Sequence, residues 1–471
     1  METEPFLLSH SLQQAAGRVP DQEAVVLGSD SITYRELVDR AARVAGYLVS
    51  QGLERGDRVI VDAVKSIDAV VAIHGAQWAG GVAVPVDPNA PHDFLAEVVN
   101  DAQPGAIVTD ERTAPAAADL DVPVRVGGSD PDRSGVASWA EVWSAEPIPI
   151  VPRLGGDPAY ILYTSGSTGR PEGIVHSHRS GLRYAQLAAE TYGLRPQDRM
   201  ANVAPFHFDQ STFELYAGPV AHATTVLIPE VLLRFPAEVA KLVAESGITV
   251  WYSVPTVLVQ MLERGALERH DLGRLRGVLF GGEVFPSDAL AALMRLVEGA
   301  RFSNVYGPTE VNQCTHHHLE APPGPGETVP IGRPWGDTEV RLADDLGSVV
   351  SGPGRGILEV RTATMMVGYW RRPDLTAASV VTEVDGHGLD TRWYRTGDLV
   401  ERDEAGRLTF LGRTDRQVKV RGHRIELEGI EAALSGIPGV VRSAVVVARR
   451  QPSDILVGVV EGSGIDPAAV L

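Results

Sequence analysis

Two hydrophobic rhythms alternate along most of this chain. Short apolar runs at 58–61, 105–108, 225–228, 250–252, 277–280 and 357–360 have the length and composition of buried strands. Between several of them apolar residues return every three or four positions, as at 34–51 and 236–246, which predicts amphipathic helices. Strands alternating with helices predict an α/β fold with largely parallel sheets. Beyond Gly354 the rhythm shifts to strands and turns: 409–411 and 417–420, a helix over 427–434, then strands at 443–448 and 455–460. That end reads as a small α+β unit, and Asp466-Pro467-Ala468 reads as the start of a further helix. The stretch 110–150, rich in Ala, Pro, Asp and Ser, is expected to run mostly over the surface.

A chain of 471 residues exceeds what one hydrophobic core serves, so at least two domains are expected. Net charge is −19 and the only lysines are Lys65, Lys241 and Lys419. Such a surface gains nothing from a phosphate backbone, so nucleic acid is not an expected partner, although a local pocket can still hold a nucleotide. The single cysteine, Cys314, excludes an internal disulfide and a Cys-based zinc site, and fits a reducing compartment. No run of about eighteen apolar residues occurs and the N-terminus is acidic, so neither a membrane span nor a secretory leader is expected, and the expected location is cytoplasmic.

The most informative stretch is 163–173, Tyr-Thr-Ser-Gly-Ser-Thr-Gly-Arg-Pro-Glu-Gly. The apolar run Ala159-Tyr160-Ile161-Leu162 leads straight into it. A buried strand opening into small hydroxyl residues can turn backbone N–H groups toward phosphate oxygens, with Thr164, Ser165, Ser167 and Thr168 adding donors. Gly166 and Gly169 allow close approach. The Gly-Lys-Ser/Thr ending of a Walker A loop is missing, and a Ser/Gly linker would not follow a strand in this way.

Further motifs follow in order: Thr33-Tyr34-Arg35-Glu36-Leu37, Gln77-Trp78-Ala79-Gly80-Gly81, Phe208-Asp209-Gln210-Ser211, and Asn304-Val305-Tyr306-Gly307-Pro308-Thr309-Glu310. Tyr394-Arg395-Thr396-Gly397-Asp398 and the run from Gly412 to Gly422 complete the series. With them the chain resembles the adenylate-forming superfamily, specifically the amino-acid adenylation domains of nonribosomal peptide synthetases. The resemblance implies a large N-terminal domain of parallel and mixed sheets with flanking helices and a β-rich part, over 1–412. A small α+β C-terminal lid domain, 413–471, would follow, hinged at Asp415. It implies ATP and Mg²⁺, with Glu310 as the metal ligand, Thr164 and Thr309 on the phosphates, and Ser165, Gly166, Ser167, Thr168 and Gly169 forming the loop. Tyr306 would stack on adenine beside Gly281, Gly282, Glu283 and Gly307, while Asp398, backed by Arg413, would hold the ribose. His207 would gate the acyl pocket, and Lys419 and Gly422 would face the site when the thioester forms. Charge neutralisation suits the reaction, attack of a carboxylate on the α-phosphorus of ATP, because both partners are anionic.

Asp209 resembles the aspartate that pairs with the α-ammonium of an amino acid. Pocket positions carried over by the resemblance are Gln210, Phe213, Tyr252, Leu279, Gly281, Val305, Gln313 and Cys314. Phe213, Tyr252, Leu279 and Cys314 together look like stand-alone L-prolyl-loading enzymes, and two large rings favour a small or cyclic side chain. Gln210 and Gln313 depart from an apolar proline pocket: a buried amide meets a polar ligand group or water, unless the two glutamines pair with each other or with backbone. Proline and a small polar or N-substituted amino acid therefore both remain open. The resemblance makes the acceptor the phosphopantetheine of a separate acyl or peptidyl carrier protein.

Two departures stand out. The family loop ends Pro-Lys-Gly, where this chain has Pro171-Glu172-Gly173. An inward Glu172 would repel phosphate by about 4 kcal/mol at 4 Å, so the side chain is expected to point outward, with Arg170 supplying part of the missing charge. No lysine follows Lys419, although the family carries one near the end of the lid, so the sequence is expected to stop within that domain. These departures keep two rivals in view. One is an acyl-CoA ligase, disfavoured by Asp209, and the other is a non-catalytic amino-acid or nucleotide-binding module.

Overall fold

The computed structural model describes residues 4–128, 136–166, 170–344, 346–420, 423–448 and 455–463. Ser167, Thr168, Gly169, Gly422 and the helix start at Asp466 lie outside the described residues. The expected α/β architecture is present as two large sheets. One has eight strands in the order Gly368–Tyr369, Pro171–Ser177, Pro158–Ser165, Val82–Pro85, Arg58–Asp62, Ala106–Thr109, Val124–Gly128 and Ala137–Ser138. The other has nine: Arg333–Pro334, Thr315–Leu319, Arg301–Tyr306, Gly277–Gly281, Val250–Ser253, Arg199–Asn202, Thr224–Leu227, Glu23–Leu27 and Asp30–Thr33. Its inner strands are parallel and its edges antiparallel.

Residues of both sheets share one apolar core with the helices Tyr34–Ser50, Ile67–Trp78 and His178–Thr191. The first of these starts at a reciprocal cap, in which the Thr33 hydroxyl accepts from the Glu36 N–H and the Glu36 carboxylate accepts from the Thr33 N–H. The Tyr34 hydroxyl, 2.6 Å from the Ala223 carbonyl, then ties that helix to the nine-stranded sheet. Part of the Thr-Tyr-Arg-Glu-Leu motif is thus a helix start.

The β-rich part is an antiparallel sheet built on the long strand Asp390–Arg402. Its last pairing joins Asp398 to Arg413. Beyond this lie the hairpin Gln417–Val420 with His423–Glu426, the helix Leu427–Ser435, and the hairpin Val440–Ala448 with Ile455–Gly462. The stretch 110–150 is mostly exposed or half-buried among its described residues, as expected, but it also adds structure the sequence pattern did not show. Strands Val124–Gly128 and Ala137–Ser138 extend the eight-stranded sheet, and Val126, Val136 and Val142 are buried. Each element is too short for its pattern to stand out from an Ala- and Pro-rich background.

Gly332 links the nine-stranded sheet to the β-rich part by paired backbone hydrogen bonds with Leu408. Its φ is +89°, and a Cβ there would land on the carbonyl of His316. Gly332→Ala is expected to cost at least about 2 kcal/mol, read as a lower thermal midpoint; an unchanged midpoint would refute the constraint.

Candidate active site

A cleft of about 1300 Å³ opens where the parallel strands of the nine-stranded sheet end at their carboxyl termini, the usual place for a ligand in an α/β sheet. The segments leaving these strands deliver His207, Asp209 and Gln210, then Tyr252, then Gly282, and finally Val305, Gly307 and Thr309. Thr164 comes from the eight-stranded sheet, Asp398 and Arg413 from the β-rich part, and Lys419, His423 and Arg424 from the small C-terminal unit.

Glu310 is fully buried, and its Oε1 accepts from the Tyr369 hydroxyl at 2.6 Å and from Arg424 Nη1 at 2.7 Å. Burial alone would raise this carboxyl, but the Arg424 guanidinium and the Tyr369 hydroxyl outweigh it and hold the pKa down to about 2. Among the described residues Glu310 Oε2 and Thr164 Oγ1 meet no hydrogen-bond partner, although both atoms are buried. An ionised carboxylate with one bare oxygen suits a hard cation that takes its other ligands from phosphates and water. The donor set therefore fits Mg²⁺. Thr309 is fixed from behind by the His176 ring, whose Nε2 donates to the Thr309 carbonyl at 2.9 Å.

The loop begins as expected on strand Pro158–Ser165, then returns as an antiparallel hairpin that places Thr164 opposite Glu172. Glu172 does not point outward. It is buried, and a methyl group added at Gly166 would lie 2.6 Å from its Oε1. Arg170 is exposed. Burial pushes the Glu172 carboxyl up; Arg424 and Arg372 oppose this, while Glu426 and Glu310 add to it. A carboxyl raised on folding destabilises the fold as pH rises past its ordinary value of 4.5. Glu172→Gln should therefore raise the thermal midpoint by about 2 °C at pH 8, but not at pH 4, and lower the ATP KM at least about threefold. A lower midpoint at pH 8 would overturn this assignment.

On the nucleoside side Arg413 Nη1 lies 2.6 Å from Asp398 Oδ1, and the same guanidinium donates to both oxygens of Asp415, at 2.7 and 2.6 Å. Asp415 sits in the connection between Leu408–Arg413 and Gln417–Val420, the position expected of the hinge. Tyr306 is held in place from the nucleoside side. It is buried in the core of the β-rich part, and its hydroxyl donates to Asp398 Oδ2. Gly282 lines the cleft, but the Glu283 side chain is turned to Thr256, whose hydroxyl donates to it at 2.6 Å.

In the amino-acid half, Asp209 Oδ2 accepts from the Thr309 hydroxyl at 2.8 Å. Burial raises the Asp209 carboxyl, offset in part by Thr309 and by the charge of Lys419. Tyr252, Val305, Gln210 and Gln313 line the cleft. Phe213 and Leu279 are in the core behind this wall, and Phe213 meets Tyr252 edge-on at 5.5 Å. A side chain at Gly281 would meet the carbonyl of Val305 on the neighbouring strand. Cys314 is not among the residues lining the cleft; it is buried with Tyr306, Ile331 and Met366 in the core of the β-rich part. The two glutamines bond not to each other but to the protein around them, Gln210 weakly to the Gly281 carbonyl and Gln313 to the Tyr192 hydroxyl. His207 lies on the wall with its pKa lowered to about 4, chiefly by burial, so the ring is neutral. Beside it Phe208 meets His423 edge-on at 5.0 Å. Sequence reasoning missed Arg424, Tyr369, His176 and Tyr192; only Arg424 lay next to a recognised motif.

The sequence profile of AMP-binding enzymes matches residues 12–370. A curated L-proline–[L-prolyl-carrier protein] ligase of Streptomyces coelicolor is 38% identical over 437 residues, 89% of this chain and 80% of that protein. A ligase of the same name from Pseudomonas fluorescens is 35% identical, covering 94% of this chain and 86% of its own length. The crystal structure of IdnL1 superposes with a TM-score of 0.83 at 30% identity, covering 100% of this chain and 95% of that one. The chain belongs to the AMP-binding enzyme family. It is an AMP-forming ligase, of the class that uses ATP and Mg²⁺. Among the described residues no helix is long and apolar enough to cross a membrane.

Proposed function

We propose that this ligase activates a small amino acid, proline or a close cyclic or polar relative, as its adenylate and loads it onto a carrier protein. Asp209 carries the reading: a carboxylate on the cleft wall, raised by burial, has no cation at salt-bridge distance among the described residues, and an α-ammonium group supplies one. The ammonium bound there sets the substrate carboxylate toward Thr309, Thr164 and Glu310. A carboxylate oxygen attacks the α-phosphorus of ATP, the α–β phosphoanhydride bond breaks, and pyrophosphate leaves. Glu310 would hold Mg²⁺, which would supply neutralisation of phosphate charge. Asp398, with Arg413 behind it, is suited to the ribose hydroxyls. The carrier's phosphopantetheine thiol then attacks the acyl carbon, loses its proton and displaces AMP.

The two prolyl-carrier ligases support proline and a separate carrier as the acceptor. Residues 413–471 are proposed as a lid that turns about Asp415, with Lys419, His423 and Arg424 brought to the cleft in the arrangement described. A pyrophosphate-exchange panel over small, cyclic and N-substituted amino acids, with free CoA as a competing acceptor, tests the reading. Exchange driven by proline-like acids with transfer only to a carrier is expected. Transfer to free CoA, or exchange driven only by acids lacking an α-amine, would sink it.

A further inference from the structure

Gln313 lines the cleft, yet its amide nitrogen is committed elsewhere. Nε2 donates to the Tyr192 hydroxyl at 2.6 Å and, more weakly, toward the Thr315 carbonyl at 3.4 Å. A flipped amide would set oxygen against that carbonyl, so the orientation is fixed by chemistry. Tyr192 is itself held. It caps the helix His178–Thr191, its carbonyl accepts from Arg276, and its buried ring stands edge-on to Phe213 at 6.0 Å and to His318 at 6.2 Å. With both N–H groups turned to the protein, the polar edge left to the cleft is Oε1, an acceptor.

We infer that Tyr192 is a specificity-positioning residue: it pins Gln313 so that the side-chain pocket presents a carbonyl oxygen, selecting a small or cyclic amino acid that carries a hydroxyl or N–H donor on its side chain. This rests on the amino-acid reading of the cleft above. A hydrocarbon ring against Oε1 leaves a buried acceptor unpaired, whereas a hydroxyl on that ring satisfies it. Tyr252 and Val305 set the width of the pocket, and the Tyr192–Gln313 pair sets its polarity at the deep end.

The test is amino-acid-dependent pyrophosphate exchange by the full chain, with proline, both 4-hydroxyproline diastereomers and the matching 4-fluoroprolines, which are close in shape but donate nothing. In the wild type the KM of one hydroxyproline is expected to lie at least about tenfold below that of its fluoro counterpart. Tyr192→Phe should let the amide swing and bring that ratio within about threefold, through KM rather than kcat. Gln313→Leu should reverse the order in favour of proline and keeps the test open if Tyr192→Phe folds poorly. Equal use of hydroxy and fluoro compounds by the wild type, or a ratio that survives in both variants, overturns the inference while leaving the Asp209 reading intact. Failure of every amino acid to drive exchange overturns both.

Discussion

Asp209→Asn should raise the amino-acid KM by at least about a hundredfold and abolish its dependence on acid pH. Removing one partner of a buried charge pair costs about 3–5 kcal/mol, and 2.7 kcal/mol already corresponds to about a hundredfold. Asparagine keeps the shape and can still accept from the Thr309 hydroxyl, which lies 2.8 Å from Asp209 Oδ2. The loss is therefore one of charge, and ATP binding without amino acid should change little. The sign of the pH effect follows from burial, which holds the free carboxyl above its ordinary 3.8. An ammonium ligand binds the ionised form, so wild-type affinity should rise as pH climbs through that raised pKa and level off once Asp209 is ionised. The variant should show no such rising limb. Amino-acid KM measured from pH 4.5 to 8 at saturating ATP decides this; parallel profiles for the two proteins would remove Asp209 from ammonium recognition.

The parts of the molecule legible in the sequence are those where one local pattern suffices. The strands at 58–61, 250–252 and 277–280 appear in the structure within a residue or two, since apolar runs bounded by polar residues have few other readings. The helix Ile67–Trp78 escaped because Ala69 through Trp78 are all buried, so it has no polar stripe to betray its period. Motif order likewise grouped Asp209, Thr309, Asp398 and Arg413, which line one cleft. It could not show orientation. Cys314 is buried in a neighbouring core, and Glu172 folds beneath its own hairpin, because side-chain direction is decided by the register Thr164 to Glu172 and by packing from distant segments. Tyr192 and Tyr369 lie 121 and 59 residues from the groups they hold, Gln313 and Glu310, so no local spacing announces them.

Glu310 and Arg424 give the second large effect. Glu310→Gln should cut pyrophosphate exchange by about a thousandfold, because the neutral amide cannot replace a fully buried carboxylate whose free oxygen suits a divalent cation. The opposite change, Arg424→Ala, separates the fold's use of this carboxylate from its chemical use. In the wild type Arg424 helps hold the Glu310 pKa down to about 2, below its ordinary 4.5. The pair therefore contributes stability that is present above pH 4.5 and lost as pH falls toward 2. Without the guanidinium, burial acts unopposed except by the Tyr369 hydroxyl, so the carboxyl rises and the neutral-pH fold loses about 3–5 kcal/mol. Acid unfolding of Arg424→Ala should then be flatter over pH 2–4.5 than that of the wild type. Mg²⁺ with ATP should also raise its thermal midpoint more than it raises the wild type's, since the cation then enters a site with no resident positive charge to displace. Identical acid transitions and identical ligand shifts in the two proteins would show that the Arg424–Glu310 pair, 2.7 Å long, holds neither the carboxylate nor the lid.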